Sequence, residues 1–150
     1  MSTEEQAPHI SISNQYIKDL SFENPNAPMS LMKSDEAPSV ELNLNIDVNR
    51  VNESNVFQVA LNIKATAKRN HEISFVVELV YEGIFQLINI GEENYHFILG
   101  VHCPGMLFPF ARRIISDATQ SGGFQPLMID PIDFAALYQK RLAEEQGSQN

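Results

Sequence analysis

From Val40 to Val48 apolar and polar residues alternate without a break. Val40, Leu42, Leu44, Ile46 and Val48 fall on one parity, and Glu41, Asn43, Asn45 and Asp47 on the other. Successive side chains of a strand point to opposite faces, so a period of two predicts a strand with one apolar and one wet face, as antiparallel sheets have. Residues Phe57–Ala67 repeat the pattern through Phe57, Val59, Leu61, Ile63, Ala65 and Ala67. Lys68-Arg69-Asn70-His71 then reads as a tight polar connection into a strand from Ile73 to about Glu82. In that strand Phe75, Val77, Leu79 and Tyr81 share one face, and Val76, Glu78, Val80 and Glu82 share the other. His9–Glu23 sets Ile10, Ile12 and Ile17 among polar residues and predicts a first strand, irregular near Asn14–Tyr16. Four strands with mostly short connections predict an antiparallel sheet.

One connection is long. Residues 24–38 carry Pro25, Pro28 and Pro38, which restrict the backbone and withhold ladder donors, and also the apolar Met29, Leu31 and Met32. A crossover of this length and content is more often functional than a hairpin loop. Beyond it the period changes. Leu107, Phe110, Ala111, Ile114, Ile115 and Ala118 form a helical stripe that Gly122-Gly123 can stop, with Pro109 in the first turn or at a kink. A shorter helix is expected over Glu92–Leu99. A final helix is expected to be capped by Asp130, with Pro131 at its first position, Asp133 near its positive end, and Phe134, Leu137, Tyr138 and Leu142 as its stripe. The fold class is α+β: a four-stranded antiparallel sheet followed by two or three helices. One domain, residues 9–143, is expected between mobile polar tails at 1–8 and 144–150.

Composition narrows the function. A content of 43% hydrophobic and 19% charged residues over 150 residues fits one folded domain. The formal net charge of −9 argues against nucleic-acid binding, which needs cations to displace counterions, and favours a basic protein partner. A single cysteine, Cys103, excludes an intrachain disulfide and suits a reducing compartment. The first residues lack the charged-plus-apolar pattern of a secretory signal, and no apolar run reaches the ~20 residues of a membrane span. A cytoplasmic protein without direct membrane insertion is the expectation.

Catalytic chemistry finds little footing. His96, His102 and Cys103 lie close in sequence, but zinc wants a fourth ligand and better spacing than two adjacent residues. No phosphate loop, nucleophile elbow or zinc-protease helix is present, and capping accounts for Asp130 and Asp133. The expectation is a protein that is not an enzyme and takes no metal or cofactor. Asp19, Glu23 and Glu78 read either as a solvated sheet face or as an anionic surface for a basic partner. Met29, Leu31, Met32, Phe124, Leu127 and Phe134 read either as core or as an adaptable apolar binding surface.

Three segments tip these alternatives. Tyr16-Ile17-Lys18-Asp19-Leu20-Ser21-Phe22-Glu23-Asn24-Pro25 closely resembles the N-terminal signature of the SecB family of protein-export chaperones. Cys103-Pro104-Gly105-Met106-Leu107-Phe108-Pro109-Phe110-Ala111-Arg112 is similar to its second hallmark. Gly123-Phe124, Pro126-Leu127, Pro131-Ile132-Asp133-Phe134 and Leu137-Tyr138 match further along, as does Glu82-Gly83-Ile84-Phe85, so the resemblance covers about residues 9–142. It implies a homotetramer, a dimer of dimers, that holds non-native secretory precursors and passes them to the translocase motor SecA without ATP or metal. It places SecA contacts at Asp19, Glu23, Val76 and Glu78, and tetramer assembly at Val77, Leu79 and Tyr81. The client groove is expected between Met29, Leu31 and Met32 on the crossover and Phe124, Leu127 and Phe134 in the helical half. Asp35-Glu36, where many relatives carry tryptophan, would form its rim. The alternative is a chaperone of the same fold dedicated to another partner, such as a toxin–antitoxin pair.

Overall fold

The four expected strands form one antiparallel sheet: β1 (His9–Glu23), β2 (Ser39–Val51), β3 (Val56–Arg69) and β4 (Glu72–Ile88). Their order across the sheet is β1-β4-β3-β2. The computed structural model describes residues 7–32, 37–52 and 54–148. The expected rim residues Asp35 and Glu36 lie outside the described residues.

Strand order explains the long crossover. β1 and β2 occupy opposite edges, so the chain between them must pass the end of the β3–β4 hairpin. That hairpin closes through Asn70 and His71 at φ 52° and 69°, the two left-handed residues that a turn compatible with strand twist requires. Asn26 on the crossover donates from Nδ2 to the Ile73 carbonyl at 2.7 Å and so ties the crossing segment to the hairpin end.

The irregularity of β1 is two register shifts, between Ile12 and Asn14 and between Ile17 and Asp19, one on each side of the stretch where it was expected. Each inserts one residue, and each reverses the parity that follows. Ile12 and Ile17 stand opposite Phe85 and Tyr81 on the helix-covered face, while Asn14 and Asp19 stand opposite Ile84 and Val80 on the other. Without the second shift Asp19 would face inward.

The core lies between one face of the sheet and α2 (Cys103–Ser121). From the sheet come Val59, Leu61, Ile63, Val77, Leu79, Phe85 and Leu87, all buried. The assembly expectation for Val77, Leu79 and Tyr81 is corrected here. These residues are 0%, 1% and 6% exposed and pack in the protomer's own core, so they present little surface to another chain. Alternation placed them on one face but did not say that a helix covers it.

The helical half departs from expectation in phase. Glu92–Asn94 forms a 3₁₀ turn, Tyr95–Phe97 a short α1, and Ile98–His102 a π turn that runs into α2. α2 buries Cys103, Pro104, Leu107, Phe108, Ala111, Ile115 and Thr119. Phe110, expected on the buried stripe, is 49% exposed. The stripe is wide, and the sheet takes the Leu107–Ala111–Ile115 row, leaving Phe110 at its margin. Pro109 sits inside α2 rather than in its first turn.

α3 runs Phe134–Ser148, well into the stretch expected to be a tail. Its cap is Asp133, not Asp130: Asp133 Oδ1 accepts from the Ala136 N–H at 3.0 Å, the usual bond from an N-cap to the third helical residue. Residues 130–133 lead in without helical structure, so Pro131 precedes the helix instead of starting it.

Candidate functional site

A groove opens where the crossover meets the chain leaving α2. Its walls are Leu31, Met32 and Pro38 on one side and Gly123, Phe124, Gln125, Pro126 and Leu127 on the other, with Val40, Arg69 and Phe75 at the sheet end, around about 400 Å³. Of the residues expected at a client groove, Leu31, Met32, Phe124 and Leu127 line this one. Two others are corrected. Phe134 is 6% exposed and packs edge-on against Phe108, with ring centroids 5.9 Å apart, inside the core. Met29 is 72% exposed and does not line the groove.

The walls are held by specific contacts. Phe22, Phe75 and Phe124 form a cluster with centroids 5.8, 4.9 and 6.4 Å apart, joining β1, β4 and the far wall. Asn24 Nδ2 donates to the Gly122 carbonyl at 3.0 Å, linking the crossover to the helix end. Gly123 has φ 93°, and a β-carbon there would lie 3.1 Å from Leu31 Cδ2, so both backbone and space favour glycine. Thr119, fully buried, accepts from the Leu127 N–H at Oγ1 (2.9 Å) and from the Phe124 N–H at its carbonyl (3.1 Å). It thus sets the wall segment on α2. Thr119, Phe75 and Arg69 were missed in the sequence. A threonine in a helix carries no outward sign that its hydroxyl will serve a segment eight residues away.

The opposite face of the sheet is flat, open and polar. Glu23 stands opposite Val76, Ser21 opposite Glu78 and Asp19 opposite Val80, so Asp19, Glu23, Val76 and Glu78 share this face. Asp19 and Glu78 border a shallow basin with Asn43, Asn45, Asn62 and Lys64. Lys64 Nζ lies 3.3 Å from Glu78, both half-exposed, and such a pair contributes little to stability. Nearby, Glu82 is 3% exposed yet well satisfied. Its Oε1 accepts from Tyr16 Oη and Gln58 Nε2, both at 2.7 Å, and Lys18 Nζ is 3.6 Å from Oε2. Donating to that carboxylate, together with burial and the nearby negative charge, holds the Tyr16 phenol above its ordinary pKa. The network anchors β1 at Tyr16, just before its second register shift, and at Lys18, the residue the shift inserts, which turns Asp19 outward.

The cysteine has no such exposure. Cys103 is fully buried beside the sheet, and burial pushes its thiol up to about 12, whereas His102 is exposed and meets the Phe97 ring edge-on at 5.4 Å. The two adjacent side chains diverge, and Cys103 is no nucleophile near neutral pH. Against an ordinary thiol near 8.5, alkylation at about pH 8 should run roughly a hundredfold or more slower in the native chain than in denaturant. Equal rates, read by mass spectrometry, would place Cys103 at the surface. Among the described residues no three His, Cys, Asp or Glu are grouped to hold a metal.

This geometry can be set beside known proteins. The model of the SecB family, preprotein translocase subunit SecB, matches residues 3–145. The chain belongs to the SecB family. Protein-export protein SecB of Rickettsia akari (strain Hartford) is 55% identical over 145 residues, 97% of this chain and 95% of the relative. That of Rickettsia felis is 54% identical over the same shares. Among solved structures, the SecB-like chaperone of Mycobacterium tuberculosis, in complex with a peptide from the HigA1 antitoxin, superposes with a TM-score of 0.68 at 15% identity. It covers 82% of this chain and 90% of that one, which establishes the shared fold. SecB membership makes this a protein-export chaperone of a family that works without catalysis, on the α+β architecture expected from sequence. None of its described helices is long and apolar enough to cross a membrane.

Proposed function

We propose that this protein holds non-native secretory precursors in the cytoplasm and delivers them to SecA. The observation that carries the reading is the open, mostly apolar groove between crossover and helix exit, lined by Leu31, Met32, Phe124 and Leu127. Unfolded segments expose apolar side chains, and burying them in such grooves is favourable without any consensus sequence. Several grooves on one oligomer add weak contacts into useful avidity. A folded client hides those segments, so holding selects slow folders. The acidic outer face, on the other side of the sheet from the groove residues Arg69 and Phe75, suits a basic docking surface on SecA. The direct test is the refolding of a slowly folding precursor with and without stoichiometric chaperone. Undiminished refolding would overturn the holding role.

A homotetramer fits the apolar surface left beside α2. Ile17 and Leu20 stand on the helix side of edge strand β1, yet are 47% and 41% exposed, because α2 does not reach over that edge. Ile17 neighbours Tyr81, whose ring stacks on half-exposed Phe110 at 6.3 Å, and Met106 is also exposed. Tyr81 thus contributes to assembly from beneath, through Phe110. Light scattering should give four times the 16.9 kDa protomer mass. Ile17→Asp with Phe110→Asp should shift it to a smaller species by placing charges in the buried contact. An unchanged tetramer would move the interface elsewhere.

The alternative of a dedicated partner draws on the Mycobacterium tuberculosis chaperone, which carries an antitoxin peptide. The Rickettsia export proteins, at much higher identity, favour the export role.

A further inference from the structure

The outer face of the sheet holds two adjoining basins. One is bordered by Lys64 and Glu78, the other by Lys18 and Glu82, and Asp19 borders both. Each basin thus has a lysine and a further carboxylate beside Asp19. Lys64 pairs with Glu78 at 3.3 Å. Lys18 adjoins Asp19 in the chain and borders the same basin, yet its ion pair is with Glu82, Nζ to Oε2 at 3.6 Å. The second register shift of β1 makes this arrangement. Ile17 faces Tyr81 and Asp19 faces Val80, so Lys18 is the inserted residue and lies beside Asp19 at the basin instead of alternating away from it.

Burial explains which carboxylate Lys18 takes. Glu82 is 3% exposed, whereas Asp19 is open to solvent. Tyr16 and Gln58 both donate to Glu82 Oε1, but neutral donors satisfy an oxygen without cancelling its charge. A buried charge is costly unless a counter-charge lies near it. Lys18 supplies that charge, acting at 3.6 Å as a cation more than as a hydrogen-bond donor. Attraction to a buried carboxylate is also screened less than attraction to an exposed one. Lys18 therefore turns to Glu82 and away from its neighbour.

We propose that Glu82 is a positioning residue for the docking face: by holding the Lys18 ammonium, it leaves the Asp19 carboxylate open to a cationic side chain of the partner. This rests on the reading of the outer face as the SecA docking surface. Glu82 is too deeply buried to serve as a contact itself, and it acts through Lys18. Without it, Lys18 would cover Asp19 and set a cation where the basic partner must place its own.

The test is the affinity of the full chain for SecA at low salt, with circular dichroism and light scattering to check the fold and assembly of each variant. Glu82→Gln keeps the size and one acceptor for Tyr16 or Gln58, but offers Lys18 no charge. It should bind SecA roughly three- to fivefold more weakly, the scale of an exposed charge pair. Adding Lys18→Gln should restore the affinity to within about twofold of the wild type, because no cation is left to cover Asp19. If Glu82 only supported the fold, the second change would repair nothing, so a double variant that stays weak overturns the proposal. Asp19→Asn separates capture of Lys18 from a general loss of negative charge. It should weaken binding in the wild type, and by roughly half that factor or less in Glu82→Gln, where Lys18 already covers the carboxylate. An equal cost in both backgrounds overturns the proposal, as does wild-type affinity in Glu82→Gln. Should Glu82→Gln not fold, Lys18→Gln alone decides: it should bind SecA as tightly as the wild type or tighter, and weaker binding overturns the capture. Asp19→Asn without effect in the wild type would strike the docking reading itself, and the proposal with it.

Discussion

Replacing Leu31, Met32 and Leu127 by serine should abolish the arrest of precursor refolding while leaving the tetramer intact. All three line the groove, and Leu31 and Met32 are 43% and 55% exposed in the empty protomer. Each can therefore gain apolar burial from a client, on the order of 1 kcal/mol at such partial exposure. Three in one site sum to about 3 kcal/mol if additive, a loss of affinity of roughly a hundredfold, though neighbours in one groove couple. Multivalent holding should then fail at chaperone concentrations that suffice for the wild type. None of the three belongs to the Ile17–Phe110 surface, so light scattering should still report the assembled mass. Phe134→Ser is the informative contrast. Because Phe134 packs against Phe108 in the core, that change should act through stability, with ~3 kcal/mol or more lost on removing a buried aromatic. A triple variant that still arrests refolding would move the client site away from the crossover.

Asp19→Lys with Glu78→Lys is expected to weaken SecA binding strongly at low salt and to spare client holding. Both carboxylates border the same basin on the outer face of the sheet. Glu78 is paired with Lys64 at 3.3 Å, so its reversal also leaves Lys64 beside a second cation. Two reversed charges and one released cation facing a basic partner should cost about 1–3 kcal/mol, a ten- to hundredfold loss, mostly in association rate. Raising ionic strength should shrink the difference, because the basin is open and screened within about a Debye length. Equal affinities of variant and wild type in a low-salt titration would exclude this face as the docking surface. The half-exposed pair contributes little to folding, so thermal stability should change only slightly.

Much of this was legible in the order of residues. Unbroken alternation in Val40–Val48 and Phe57–Ala67 determined strands and faces, because side-chain direction in a strand is a local property with a period of two. It likewise put Val76 and Glu78 on one face and Val77, Leu79 and Tyr81 on the other. The sequence motifs named the family, and the apolar residues of the proline-rich crossover announced a groove wall. Tertiary structure decided what lies against each face. The order β1-β4-β3-β2 sends the crossover over the hairpin end and brings Arg69 and Phe75 to the groove, a proximity between residues more than 30 positions from Leu31 that no local pattern encodes. α2 covers Val77, Leu79 and Tyr81, and its rotation buries Ile115 while leaving Phe110 half outside, because a wide apolar stripe admits more than one phase and only packing against the sheet selects among them. The two register shifts in β1 turn Asp19 outward, a reversal of parity that depends on pairing with β4 and on the buried Glu82 network. Local periodicity determines which residues share a face, and the contacts between distant segments determine what that face meets.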